Sequence, residues 1–164
     1  MQKEKEENEP ATKEKNFQQR RFAARCMALQ FLFQLDMKKD WVYTEESLRN
    51  FMQQIAGIEL KIAQMDSGSA RRYARFLING TCQQKDKIDA LLETVLQNWS
   101  LKRLSYVDRA ILRLAAYEIV YAEKISAAIA INEAVELAKT FSQVESPSFV
   151  NGVLDKINKL GNRE

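Results

Sequence analysis

Histidine is absent from the 164 residues. That absence removes the commonest general base, the commonest metal ligand and the base half of any Ser/His or Cys/His nucleophile pair. Cysteine is scarce: Cys26 and Cys82 stand alone and form no CxxC motif, so neither a zinc site nor a disulfide is expected. The chain reads as reduced and cytoplasmic. Gly57, Gly68, Gly80, Gly152 and Gly161 are too scattered to build a dinucleotide or phosphate loop. No apolar run approaches membrane length, and the opening "MQKEKEENEPATKEKN" lacks the hydrophobic segment of a secretory signal. Together these absences weigh against an enzyme, and no cofactor, metal or membrane partner is expected.

What the chain does have is helical patterning. With 46% hydrophobic residues it carries enough apolar mass for one domain with its own core. The net charge of +3 from 25 basic and 22 acidic residues is too mild to argue for nucleic acid by itself. Residues 1–16, rich in lysine and glutamate, are expected to be a disordered charged tail ahead of a folded domain over 17–164. From Phe17 onward there is no period-2 strand and no Asn-Gly hairpin signal, while apolar positions recur at spacings of three and four. The expectation is an all-α single-domain bundle of about seven helices.

The first helix is expected from Phe17 to Met37, the second from an N-cap at Thr44 through Leu48, Phe51, Met52 and Ile55. Gly57 should break or bend it, with Ile58 to Met65 continuing and "DSGS" forming a turn. A third helix then carries Arg71, Arg72 and Arg75 at its opening, followed by Tyr73, Phe76, Leu77 and Gly80. The fourth runs through Ile88, Leu91, Leu92, Val95 and Trp99. In "SYVD" Ser105 stands three residues before Asp108, a capping-box-like start to a fifth helix whose apolar residues cover most faces and which therefore belongs in the centre. A sixth helix spans Ser126 to Thr140. Ser146 as cap and Pro147 in the first turn open the last, whose buried stripe is Val150, Val153, Leu154 and Ile157.

At about 100° per residue, the first helix has two apolar lines. Ala24, Ala28, Phe31 and Leu35 form one; Phe22, Cys26, Leu29 and Phe33 form the other, roughly opposite. One is core, and the other is either core as well or a surface for a partner. Arg21 and Arg25 lie one turn apart on the flank between them, beside Arg20. A solvated helix start and a phosphate-binding surface both fit. Cations at the positive end of a helix dipole are disfavoured by some tenths of a kcal/mol, which tips the balance slightly toward anion binding.

Three segments, "ARCMALQFLFQLD" at 24–36, "VDRAILRLAAYEI" at 107–119 and "INEAVELAKTFSQVESPSFVNGVLDKI" at 131–157, resemble the NusB family of transcription antitermination factors in order and spacing. The resemblance covers nearly everything from Arg20 to Ile157. It implies two packed helical subbundles that bind the boxA element of nascent ribosomal RNA together with NusE, a small-subunit ribosomal protein, within a transcription complex with RNA polymerase. It further implies RNA contacts at Arg20, Arg21, Arg25, Ser148 and Phe149, and partner contacts at Phe33 and Asp108. The chain departs from the family where Phe22 and Ala23 occupy basic positions, where Phe33 lacks a tyrosine hydroxyl and where Ser148 replaces a lysine found in some members. An aromatic at Phe149 offers stacking worth about 1–3 kcal/mol per base if exposed; a core phenylalanine is the plain alternative. Two other functions fit the same helices. One is an interaction module that forms a homodimer through the Phe22 to Phe33 line. The other is the RNA-docking part of a ribosomal RNA cytosine methyltransferase, disfavoured because no cofactor-binding domain follows Glu164.

Overall fold

The computed structural model describes residues 9–59 and 67–161, and every regular element among them is helical. The order is α1 (Glu9–Lys38), α2 (Glu45–Glu59), α3 (Ser67–Gln83), α4 (Lys85–Val95), a 3-10 turn (Leu101–Arg103), α5 (Tyr106–Tyr121), α6 (Ala127–Phe141) and α7 (Ser146–Gly161). No described helix is long and apolar enough to cross a membrane.

Short hydroxyl side chains set several of the starts. Thr44 Oγ1 accepts from the Ser47 amide at 3.0 Å, Ser105 Oγ from the Asp108 amide at 3.1 Å, and Ser126 Oγ from the Ile129 amide at 3.2 Å. Each satisfies an amide that the first turn leaves without a helical partner, an effect of about 1 kcal/mol. The α1 C-terminus closes differently. Lys39 sits at φ 54 in the left-handed region, and the amides of Lys39 and Asp40 return to the carbonyls of Asp36 and Leu35.

Four boundaries differ from the sequence expectation. Helix α1 begins at Glu9, so residues 9–16 are helical and not part of a disordered tail; residues 1–8 lie outside the described residues. Pro10 suits a first turn, Ala, Lys, Glu and Gln carry little helical penalty, and Gln18 donates to Glu14 at 3.2 Å one turn away. Gly57 does not break α2, which continues to Glu59; the expected extension to Met65 and the Asp66 end of the turn lie outside the described residues. Helix α4 stops at Val95, which leaves Trp99 in the following connection and exposed, not in a helical stripe. Ser146 lies within α7, and its hydroxyl is spent on Asp108 of α5.

Helix α5 is the axis of the molecule. Arg109 through Glu118 are buried without interruption, because α1, α3, α4, α6 and α7 all pack on it. The two subbundles are thus α1–α3 and α4–α7, joined along α5. Helix α1 is sandwiched between α3 and α5. Its first line, Ala24, Ala28, Phe31 and Leu35, is fully buried; in the second, Cys26 and Leu29 are buried and only Phe22 and Phe33 keep part of their surface. The second line is therefore mainly core, open only at Phe22 and Phe33. One glycine is required by this packing. A Cβ on Gly80 of α3 would lie 2.1 Å from the Tyr117 ring of α5, which is itself packed between Phe76 and Tyr121.

Candidate nucleic-acid interface

The three arginines lie in the middle of α1, not at its start as expected, and they meet different surroundings. Arg25 is 3% exposed and forms a forked pair with Glu118 of α5: Nε donates to Oε1 at 2.7 Å and Nη2 to Oε2 at 2.8 Å. The Tyr73 hydroxyl of α3 donates to the same carboxylate at 3.1 Å. Burial, and after it the Glu118 carboxylate, push that hydroxyl above the ordinary tyrosine range. Arg25 is thus engaged within the fold rather than turned to solvent. Its donors are committed to the junction of α1, α3 and α5, and a buried carboxylate depends on them.

Arg21, one turn earlier, is half-buried and faces outward. Its guanidinium carbon lies 3.7 Å from the centroid of the Tyr73 ring and 4.9 Å from that of Phe17. Cation–π stacking on both rings fixes the plane of the fork while leaving its in-plane donors for an anion. It lines an open groove of about 760 Å³ between α1, α3 and the α5–α6 junction, together with Phe17, Phe76 and Tyr121. Glu133 also borders this groove, 3.8 Å from Arg25 Nη1, and its Oε2 has no hydrogen-bond partner. Burial holds the Glu133 carboxyl above its usual range, with Arg25 opposing. Arg20 is half-buried, and its Nε is shielded without a partner. On the neighbouring α3, Arg75 pairs with Glu45, Arg72 is exposed, and Arg71 Nε is shielded and unpartnered like that of Arg20.

The other expected residues gather around the start of α5. Asp108 is half-buried; its carboxylate accepts from Ser142 at 2.6 Å and from Ser146 at 3.0 Å, tying α5 to the α6–α7 connection. Phe149 is half-buried against the core and borders a groove of about 310 Å³ with Asp108, while Ser148 beside it is exposed. Phe33 keeps an exposed edge and packs edge-on to Tyr106, the first residue of α5, with centroids 6.1 Å apart. Phe33, Asp108 and Phe149 therefore share one end of the molecule, through Tyr106 and the groove. Arg20 and Arg21 lie toward the other end of α1.

Sequence reading did not foresee the cations inside α5. Arg109 Nε donates to Asp36 at 2.6 Å, and Arg113 reaches the same Asp36 oxygen at 3.2 Å while also gripping Asp89 at 2.8 and 3.1 Å. Lys85 joins at Asp89, and the Trp41 ring lies under both Lys85 and Arg113. Arginines four apart in an otherwise apolar helix were the available signal, because a buried cation requires an acid, and Asp36 closes α1.

Comparison with known proteins agrees with this arrangement. A family model described as "NusB family" matches residues 23–159. The transcription antitermination protein NusB of Desulfotalea psychrophila is 43% identical over 141 residues, covering 86% of this chain and 96% of that protein. The protein of the same name from Geobacillus kaustophilus is 40% identical over 138 residues, covering 84% and 95%. Among solved structures, T. maritima NusB superposes with a TM-score of 0.66 at 35% identity, over 85% of this chain and 90% of that one. The crystal structure of antitermination factors NusB and NusE in complex with dsRNA superposes with a TM-score of 0.69 at 26% identity, over 86% and 97%. Matched by the family model over 23–159 and sharing nearly the whole of its relatives' length and their fold, the chain belongs to the NusB family of transcription antitermination proteins.

Proposed function

We propose that the protein is an antitermination factor that binds the boxA element of nascent ribosomal RNA together with NusE and, within the transcription complex, makes RNA polymerase read through terminators. The observation that carries this reading is the family match over 23–159, with a structural relative solved with NusE and RNA. In this reading Arg20 and Arg21 neutralise phosphates, Arg21 being oriented by Tyr73 and Phe17. Phe149 stacks on a base with Ser148 at its side, and Phe33 and Asp108 border the NusE contact. The function is binding, with no chemistry assigned to any side chain.

Fluorescence anisotropy of a labelled boxA RNA tests it. The chain alone is expected to bind weakly, and the affinity to rise strongly when NusE is added. An anisotropy that stays flat with NusE present would refute the function.

A further inference from the structure

Helix α4 ends at Val95, and the chain then runs in a non-helical connection, with a bend at Gln97 and Asn98, to the 3-10 turn at Leu101. Trp99 stands in that connection, 55% exposed, and among the described residues its indole meets no other ring and no cation. The protein's other tryptophan is used differently: Trp41 is half-buried under Lys85 and Arg113. A lone exposed indole adds nothing to this core. It borders the same groove of about 310 Å³ as Phe149, with Arg103, Asp108, Gln143 and Glu145 around them. That volume is at the lower end of small-ligand sites, enough for one planar heterocycle and too small for a helix.

We propose that Trp99 is a second RNA-stacking residue, and that the groove it shares with Phe149 takes one unstacked base of single-stranded RNA, with Arg103 on the adjoining phosphate. The inference rests on the RNA-binding reading above and extends it to residues on the α4–α5 connection. Capture of a splayed base needs aromatic faces beside a cation, and the groove supplies both within one opening. Lys102 and Arg103 are exposed in the 3-10 turn, which puts positive charge where the backbone of such a strand would pass. The exposed Glu145 carboxylate can only accept hydrogen bonds when ionised, so it favours a base carrying an exocyclic amino group over uracil, whereas the Asp108 oxygens already accept from Ser142 and Ser146.

The test uses the full chain with NusE and single-stranded boxA RNA, reading anisotropy of the RNA and intrinsic tryptophan emission. Trp99→Ala is expected to weaken RNA binding by at least about five-fold, and Trp99→Phe to retain most of it. Because Trp99 is exposed, the melting temperature of both variants should match that of the parent. In the Trp41→Phe background, where Trp99 is the remaining emitter, RNA is expected to quench emission and NusE alone is not. Unchanged affinity of Trp99→Ala overturns the proposal while leaving RNA binding intact as a function. Quenching by NusE alone also overturns it and assigns the groove to the protein partner. Failure of the parent protein to bind RNA with NusE present overturns both the function and this inference.

Discussion

Arg21 and Arg25 are one helical turn apart, and their substitutions should fail in different assays. Arg25→Ala removes the partner of Glu118, a carboxylate that is itself buried. Leaving that charge uncompensated should cost about 3–5 kcal/mol, seen as a large fall in the denaturation midpoint. The double variant Arg25→Ala with Glu118→Gln should recover part of it, because no ion is then stranded. Arg21→Ala should leave the midpoint nearly unchanged and instead weaken RNA binding with NusE present. Its signature is a salt dependence shallower by about 0.7 in slope, one phosphate contact to a single strand. If Arg21→Ala leaves the slope as it was, Arg21 is not a phosphate contact, and its place on the Tyr73 and Phe17 rings is structural only.

At the level of the helices, the close crossing of α3 and α5 depends on Gly80. Alanine there forces its methyl into the Tyr117 ring, and Phe76 and Tyr121 leave that ring little room to move. Gly80→Ala is expected to destabilise the fold by about 1–3 kcal/mol despite its better helical propensity, measured by urea denaturation. A stabilised variant would mean that the helices separate at little cost. The elements themselves were largely legible in the sequence. Thr44, Ser105 and Ser126 cap as their side-chain chemistry requires, and apolar residues on most faces of 107–121 mark a central helix. What misled lay at the ends. The charged residues 9–16 have low hydrophobicity but good helical propensity, and once α1 is nucleated by its buried half they extend it. Trp99 has the right spacing for the α4 stripe, but the helix stops four residues earlier, so periodicity alone carried the helix too far.

Across the whole molecule, the candidate site was legible as residue types and not as roles. Spacing placed Arg21 and Arg25 on one flank of α1, but the difference between them is made by Tyr73, Glu118 and Glu133, which arrive from three other helices. Such partners are too far along the chain for periodicity to pair them. The fold as a whole also stores proton-bearing groups out of water. Burial pushes the Cys82 thiol up to about 11 and lifts the hydroxyls of Tyr43, Tyr73 and Tyr117 above their ordinary value. Between the ordinary and the raised values the folded chain holds more protons than the unfolded one, so stability must fall as pH rises. It should be level from pH 7 to 8 and decline above about pH 9, with Cys82 alone accounting for about 2 kcal/mol by pH 11. Urea midpoints across that range check it, and Cys82→Ser should flatten the first part of the decline.

The Arg25–Glu118 pair joins residues 93 positions apart, and Asp36 waits 73 for Arg109. Helix α1 is made first, with apolar residues on opposite sides, yet the helix that covers and neutralises it is synthesised last but two. At about 5–20 residues per second, α1 spends roughly 5–20 s outside the ribosome before Glu118 follows. During that interval the segment Phe22 to Leu35 is the part of the nascent chain most open to aggregation. It is where a chaperone has the most surface to hold.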